Sequence, residues 1–386
     1  MKTIFFKLYL LLTVFIGSSL ASFLGISLPA DSFLSSIHYR AIPLLVLSYL
    51  LSLPVGLSSR EKLMVLLCLS MLIIAGIFNR SAYFAVLVNN GIEPVILIAL
   101  LRKVCPSKAF IFKTFLIFFL LECSVAWIEV ITRSIIFADL SNMNQDTLQY
   151  MLDSEMRAYS LHGHPLQNAF LVSILSFFFL TAKGTVFFRY GYFFMGYITL
   201  FAFNTRSSIY LMGVVFALVL FHDFKSGVLS KRQKAWVLFF VGLAIVLLSY
   251  MVVKYQFGSR LFELSLSSKD DSSNTRYMLL GIVGNLQIKE LLFGLNNGLE
   301  LITTKYALFA IENSLVNFII TNGLIFTLCW CLLIYFCLKP ICRNVKKFNL
   351  SFLVFFGLLN ANNALMTEAP VIIFYVLALY ALDKFN

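Results

Sequence analysis

The chain has 386 residues, of which 60% are hydrophobic and only 12% are charged, and its mean hydropathy is +0.90. Soluble domains carry about 25% charged residues, so this composition excludes a soluble globular protein and predicts a membrane protein. The formal net charge of +12 does not indicate nucleic-acid binding, because the basic residues fall in short clusters between apolar runs.

Apolar segments follow one another along the whole chain. A membrane-spanning helix needs about 20 mostly apolar residues, so the sequence predicts an all-α polytopic membrane protein with about 12 transmembrane helices. Residues 1–386 would form a single integral membrane domain with two longer loops, 138–165 and 256–310. The predicted segments are about 4–25, 41–57, 63–78, 82–101, 111–137, 166–182, 186–203, 207–222, 235–255, 311–338, 349–363 and 369–382.

The first segment has a basic start and a small-residue end, Ser18-Ser19-Leu20-Ala21-Ser22, which also suits a signal peptide. Its apolar run is long for the core of a signal peptide, which favours an uncleaved helix. The distribution of charge then predicts the orientation. If the amino terminus is cytoplasmic, most of the 30 basic residues and few of the 18 acidic residues lie on the cytoplasmic side. Both termini are therefore expected in the cytoplasm and both long loops outside, which is the periplasm if the cell is Gram-negative.

Cysteine and histidine do not indicate a metal centre. The seven cysteines include no Cys-x-x-Cys pair, and most lie in apolar segments, where cysteine is a small apolar filler. His162 and His164 are spaced like a pair of metal ligands, but no third ligand stands near them. The sequence predicts neither a metal nor a cofactor.

The short cytoplasmic loops contain no glycine-rich phosphate loop, so they are not expected to bind a nucleotide. Chemistry is expected on the outer face, where an enzyme needs a substrate that arrives already activated, most plausibly on a lipid. Four polar clusters are predicted to reach that face. They are Arg157 with His162 and His164; Arg206 within Asn204–Ser208; Arg276 followed by Gly294 and Gly298; and Glu312, Asn313 and Ser314.

Three arginines on one face would suit a diphosphate, because a guanidinium group offers a planar fork to phosphate oxygens. Glu312, His162 and His164 are candidate bases for an attacking sugar hydroxyl. Structural explanations stand beside these functional ones. Arg157 could pair with Asp153 or Glu155, Arg206 could snorkel to the headgroups, Arg276 could pair with Asp270 or Asp271, Glu312 could cap a helix, and His164 could be a turn residue.

Taken in order over roughly residues 150–330, these clusters resemble the O-antigen polymerase and O-antigen ligase superfamily. The matching motifs are Arg157 with His164-Pro165, Thr205-Arg206-Ser207, Arg276 with Gly294 to Gly298, and Glu312-Asn313 with Asn322-Gly323-Leu324-Ile325. Two departures stand out: Leu166 occupies the usual asparagine position after His-Pro, and Glu312 stands where the ligases tend to have a histidine. The second departure favours a polymerase.

The resemblance implies a metal-independent glycosyltransferase with a GT-C-like membrane fold and undecaprenyl-diphosphate-linked glycans as substrates. Arg157, Arg206 and Arg276 would bind the diphosphate and nearby glycan, and Glu312 or His164 would be the catalytic base, with His162 and Asn313 as further candidates. Attack opposite the leaving group would invert the anomeric centre. Membrane lipids and a protein that regulates chain length are the expected partners, and nucleic acid is not.

Three rival interpretations remain open. A ligase of the same fold would transfer finished polymer to lipid A core. A transporter or flippase would be expected to show interrupted helices in matching halves, whereas the polar break at Asn89 to Pro94 has no clear counterpart later in the sequence. Glu93 in that break suits a buried contact between helices better than an ion path. The chain could also be a non-catalytic assembly partner.

Overall fold

Every regular element in the described part of the chain is a helix. The structure, a computed structural model, describes residues 2–25, 44, 56–77, 84–137, 156–182, 184–227, 229–255, 278–279, 281–295, 313–342, 344–360, 364–366 and 370–382. The predicted all-α class is confirmed for these residues. About 12 spans and a GT-C-like arrangement stay predictions, and most of predicted segment 41–57 lies outside the described residues.

The helices are numbered here in chain order. The first group is α1 (Lys2–Phe15), α2 (Ser18–Phe23), α3 (Ser59–Ile77), α4 (Phe84–Leu87), a π-helical turn (Val88–Ile92), α5 (Glu93–Val104), α6 (Lys108–Thr132), α7 (Pro165–Thr181) and α8 (Val186–Ala202). The second group is α9 (Arg206–Lys225), α10 (Lys231–Tyr255), α11 (Ile288–Phe293), α12 (Ser314–Asn322), α13 (Leu324–Leu338), α14 (Val345–Asn360) and α15 (Val371–Leu382), with 3-10 turns at Lys339–Ile341 and Ala364–Met366.

Several helices are compatible with a membrane protein. Four described helices are long and apolar enough to cross a membrane, over Lys108–Thr132, Arg206–Lys225, Lys231–Tyr250 and Leu324–Ile341. Shorter apolar helices such as α7 and α15 lie at the centre of the bundle, and every residue of α7 from Pro165 to Leu180 is buried. Only 11% of the apolar window of α10 is buried, so α10 lies at the periphery. Central helices therefore pack against other helices, and peripheral ones present apolar side chains outward.

Helix ends with basic residues gather at one end of the bundle. Lys347 on α14 donates from Nζ to the carbonyl of Thr181 at the end of α7 (3.2 Å), and Tyr380 on α15 donates to the carbonyl of Pro106 just before α6 (3.1 Å). This end is called the lysine-rich end, and the site described below lies at the other end. The basic residues that define it are Lys103, Lys108, Lys225, Lys231 and Lys346.

The first predicted span, 4–25, is interrupted rather than continuous. Helix α1 ends at Phe15 and α2 begins at Ser18, so Ile16 and Gly17 separate the two helices. At the break, a Cβ on Gly17 would lie 2.5 Å from both the Cα of His162 and the carbonyl oxygen of Leu161. A distant part of the chain thus crosses the junction of α1 and α2 at this glycine. The hydrophobicity of the sequence does not reveal this crossing.

Two further predicted spans contain breaks. Segment 82–101 includes the π-helical turn Val88–Ile92, a form of helix often found at functional sites. Segment 311–338 breaks between α12 and α13 at Gly323, which has a φ of +86°. A Cβ there would overlap the carbonyl of Leu292 on α11. Only glycine suits both the backbone angle and this close approach.

Candidate functional site

Residues 156–164, here called the entrant segment, run between helices immediately before α7. The carboxyl group of Glu129 on α6 accepts hydrogen bonds from the backbone N–H groups of Tyr159 (2.7 Å) and Ser160 (2.9 Å). Glu122, two turns earlier on α6, accepts one from Leu161 (3.3 Å). Both glutamates are fully buried. They supply partners to backbone donors that burial would otherwise leave unsatisfied, and so they fix the path of the segment.

This arrangement differs from the predicted outer loop 138–165. The described end of that range packs among helices, with Ser160 0% and His162 2% exposed. Sequence reasoning did not single out Glu122 and Glu129. The available signal was two acidic residues seven positions apart, on one face of an otherwise apolar helix, where an ionisable group requires a specific partner.

His162 has a packing role in the structure. Its Nε2 lies 3.2 Å from the carbonyl oxygen of Val14 on α1. Its ring meets Phe118 and Phe374 edge to face, with ring centroids 5.5 Å and 5.8 Å away. The neighbouring Gly17 allows this close approach. These contacts hold His162 inside the bundle, away from any open face.

Arg157 lies beside the short turn between α8 and α9. Its Nε donates to the carbonyl of Phe203 (3.3 Å), and the next residue, Ala158, donates its backbone N–H to Ala202 (3.0 Å). Arg206 is the first residue of α9 and follows this turn directly. Both arginine side chains are partly exposed. The structure thus brings two of the three predicted arginines to one turn.

The same turn and the start of α7 hold buried polar atoms without a hydrogen-bond partner in the described structure. They are Oδ1 of Asn204, Oγ1 of Thr205 and Oδ1 of Asn168, in residues that are 4%, 3% and 0% exposed. Asn204 also adopts a left-handed backbone conformation with a φ of +50°. A buried polar atom without a partner is costly, so these three oxygens indicate a place for a polar ligand or for water.

His164 caps the amino terminus of α7 and precedes Pro165 at its first turn. Its Nδ1 accepts the backbone N–H of Leu166 (3.3 Å), which assigns the proton of the neutral ring to Nε2. Burial, and to a lesser extent the nearby positive charge of Arg157, lowers its pKa from 6.5 to about 4. His164 is therefore neutral near pH 7 and offers an N–H donor beside a guanidinium group.

The turn Ala364–Met366 packs against both α7 and α12. Leu365 donates its backbone N–H to Oγ of Ser314 (3.2 Å) and accepts a hydrogen bond from Nδ2 of Asn90 in the π-helical turn (2.6 Å). The carbonyl of Asn90 in turn accepts from the indole of Trp330 (3.2 Å). The π-helical turn thereby positions the first turn of α12.

Asn313 caps α12, because its Oδ1 accepts the backbone N–H of Val316 (3.0 Å). Glu312, the residue before it, lies outside the described residues, and so do Arg276 and Gly298. Of the predicted site residues, the structure therefore brings Arg157, Arg206 and His164 together. In the described ranges, no three His, Cys, Asp or Glu side chains form a group that could hold a metal ion.

No protein-family model, curated protein or solved structure matches this chain. The resemblance to the O-antigen polymerases and ligases rests on the order of short motifs in the sequence. The assignment of function therefore depends on the chemistry that the two arginines, His164 and the buried oxygens can perform.

Proposed function

We propose that this protein is a membrane-embedded glycosyltransferase that polymerises undecaprenyl-diphosphate-linked repeat units of a surface polysaccharide. The protein would lie in the bacterial inner membrane, with its catalytic centre facing the periplasm. The observation that supports this most directly is the position of Arg157 and Arg206 on either side of one short turn, with partnerless buried oxygens beside them. The resemblance described above provides the reaction class.

Two guanidinium groups and a neutral imidazole N–H form a donor-rich surface. Such donors suit a diphosphate, because arginine binds phosphate oxygens through two parallel hydrogen bonds. Positive groups placed where negative charge accumulates stabilise a leaving group as its bond breaks. The unpartnered oxygens of Asn204 and Thr205 are acceptors that suit sugar hydroxyls. The site therefore has donors for a diphosphate and acceptors for a glycan.

In the proposed reaction, a sugar hydroxyl of the next lipid-linked unit attacks the anomeric carbon that bears the growing chain. A new glycosidic C–O bond forms, the bond from that carbon to the diphosphate oxygen breaks, and lipid diphosphate leaves with the bonding electron pair. The hydroxyl proton passes to Glu312, the proposed base. Arg157, Arg206 and Arg276 neutralise the diphosphate during its departure.

We propose a different role for His164 from that of Glu312. Its Nδ1 lone pair already accepts the N–H of Leu166, and its lowered pKa makes it a weak base. Its Nε2–H is a donor. We assign His164 to substrate binding rather than to proton transfer, which leaves Glu312 as the proposed base.

The test is a glycolipid gel on a deletion strain complemented with wild type, Arg206→Ala, Arg206→Lys or Arg133→Asn. Arg133 is an exposed arginine at the same end of the bundle with a φ of +49°, and asparagine tolerates that backbone angle. Arg206→Ala should abolish long-chain polymer, because it removes both the positive charge and the planar pair of N–H donors of the guanidinium group. Arg206→Lys should restore it only weakly, because lysine lacks the fork. Arg133→Asn should leave the ladder unchanged.

The deletion strain separates the rival functions. A single repeat unit on the lipid A core supports polymerisation, whereas core alone would mean ligation. Full-length polymer with Arg206→Ala, at wild-type protein level, would refute the proposed diphosphate site. Immunoblots of the membrane fraction are needed to match protein levels.

Transport of a lipid-linked glycan is the second candidate. The π-helical turn Val88–Ile92 and the break at Gly323 are two interrupted helices, a feature of transporters. Trp330 donates to the carbonyl of Asn90, so the π-helical turn packs against α13, the helix that follows Gly323. A purified protein that moves a fluorescent lipid-linked glycan across liposomes, without elongating it, would establish transport instead.

A further inference from the structure

A cleft of about 740 Å³ opens at the lysine-rich end, away from the proposed glycan site. It lies between the end of α7, the start of α8, the last turns of α9 and the first turns of α14. Its polar side is formed by Arg189, His222, Asp223, Lys346 and Lys347. None of these residues takes part in the function proposed above.

The described lining of this cleft carries more basic than acidic side chains. Arg189 forms an ion pair with Asp223 (2.7 Å) and also donates from Nε to the carbonyl of Leu180 (2.8 Å). The hydroxyl of Tyr190 donates to the same Asp223 carboxylate (2.9 Å). Among the described lining residues, Asp223 is the one acidic side chain, whereas Arg189, Lys346 and Lys347 are basic.

The two lysines occupy different depths. Lys346 is exposed, whereas Lys347 is partly buried with its Nζ 3.2 Å from the carbonyl oxygen of Thr181. That carbonyl belongs to the last turn of α7, where helix carbonyls lack partners within the helix. The contact fixes the ammonium group of Lys347 at the cleft wall, while Lys346 remains accessible from outside.

The other side of the cleft is apolar and continues along the surface of the bundle. Leu218 on α9 lies in the cleft and is 57% exposed, and Leu350 on α14 lies on the opposite wall. Val214 and Phe221 extend the exposed apolar surface of α9 on both sides. Helix α9 is long and apolar enough to cross a membrane. The cleft therefore joins a cationic rim to a surface suited to acyl chains.

We propose that this cleft binds an anionic phospholipid from the adjoining leaflet. The phosphodiester would lie between Lys346 and Lys347, and an acyl chain would follow Leu218 and Leu350. Basic pockets between membrane helices suit anionic headgroups, each basic side chain adding electrostatic attraction. Free phosphate would use the lysines but not the apolar wall. The wall therefore favours a lipid, and the site is independent of the proposed polymerase activity.

Native mass spectrometry of the full-length protein tests the proposal with phosphatidylglycerol and phosphatidylcholine as probes. Wild type should retain phosphatidylglycerol in preference to phosphatidylcholine. A Lys346→Gln/Lys347→Gln double variant should bind phosphatidylglycerol about thirtyfold more weakly. Glutamine keeps an N–H donor for the carbonyl of Thr181. A Lys231→Gln/Arg232→Gln double variant removes two exposed charges at the same end outside the cleft, and it should bind like wild type.

A second variant tests the apolar wall without changing charge. Leu350→Trp should reduce phosphatidylglycerol binding by filling the space for an acyl chain. Equal retention of both lipids by wild type would overturn the proposal, as would equal losses in the two charge variants. Displacement of the lipid by inorganic phosphate, together with undiminished binding by Leu350→Trp, would show a phosphate site in place of a lipid site.

Discussion

At the scale of single residues, His164 combines a structural role with a proposed role in substrate binding. Its Nδ1 caps α7, and its Nε2–H remains available beside Arg157. The motif His164-Pro165 could be recognised in the sequence, but the tautomer could not. The tautomer depends on which ring nitrogen accepts the backbone N–H of Leu166, and only the three-dimensional arrangement determines that.

The pKa of His164 predicts how stability depends on pH. In the unfolded chain the imidazole gains a proton near its ordinary pKa of 6.5, whereas in the folded protein it does so near 4. The unfolded state therefore binds more protons between these values, and stability should fall as the pH decreases through this window. His164→Asn retains a capping side chain but removes the titration, so it should reduce this loss of stability.

Thermal unfolding of the detergent-purified protein at about pH 7.5 and about pH 5 measures this difference. Wild type measured at the same two pH values is the reference. A His164→Asn variant with an unchanged difference between the two pH values would contradict the explanation.

At the scale of elements, the entrant segment depends on its crossing with the α1–α2 junction. Gly17→Ala would place a Cβ 2.5 Å from the Cα of His162. Because backbone atoms are the obstacle, the clash cannot be relieved by a side-chain rotation, and the cost should be about 1–3 kcal/mol. We expect a lower unfolding temperature and reduced polymer, since the shift reaches Arg157 through the entrant segment.

Gly242→Ala on α10 is the control for this prediction, because a Cβ there meets nothing within 4 Å. Alanine favours helix over glycine by about 1 kcal/mol, so this variant should match or exceed wild-type stability. If both glycine variants unfolded at the wild-type temperature, the inference that the chain crosses closely at Gly17 would be refuted.

The sequence predicted the apolar helices better than their interruptions. The predicted span 186–203 agrees closely with α8, because local apolar composition and turn residues determine such a helix. Segments 4–25 and 311–338 break at Gly17 and Gly323, where contacts with distant residues decide the backbone. Similarly, the sequence predicted that Arg157, His164 and Arg206 share a site, but not that Glu129 holds the entrant segment in the bundle.

At the scale of the whole molecule, the helix ends separate into a lysine-rich end and the end that carries Arg157 and Arg206. The distribution of positive charge predicts that the lysine-rich end is cytoplasmic. Exposed Cys105 lies at that end, and Arg133 lies at the other. A membrane-impermeant maleimide should therefore label Cys105 only in inverted vesicles, and Arg133→Cys should add a label in intact spheroplasts.

The matched control is wild type in spheroplasts, which should remain unlabelled at Cys105. Labelling of Cys105 from outside the cell would reverse the orientation. The proposed glycosyl transfer would then lack access to a periplasmic substrate. The location of the lipid cleft at the lysine-rich end would be unchanged, although it would belong to the other leaflet.

The attachment of the entrant segment also bears on how such a protein diversifies. Glu122 and Glu129 hold it through backbone N–H groups of Tyr159, Ser160 and Leu161 rather than through their side chains. Every amino acid except proline supplies the same donor at these positions. The anchoring bonds themselves therefore do not depend on the side chains of Tyr159 and Leu161. Sequence change along this segment is therefore limited by packing, as at buried Leu161, and not by the bonds that anchor it.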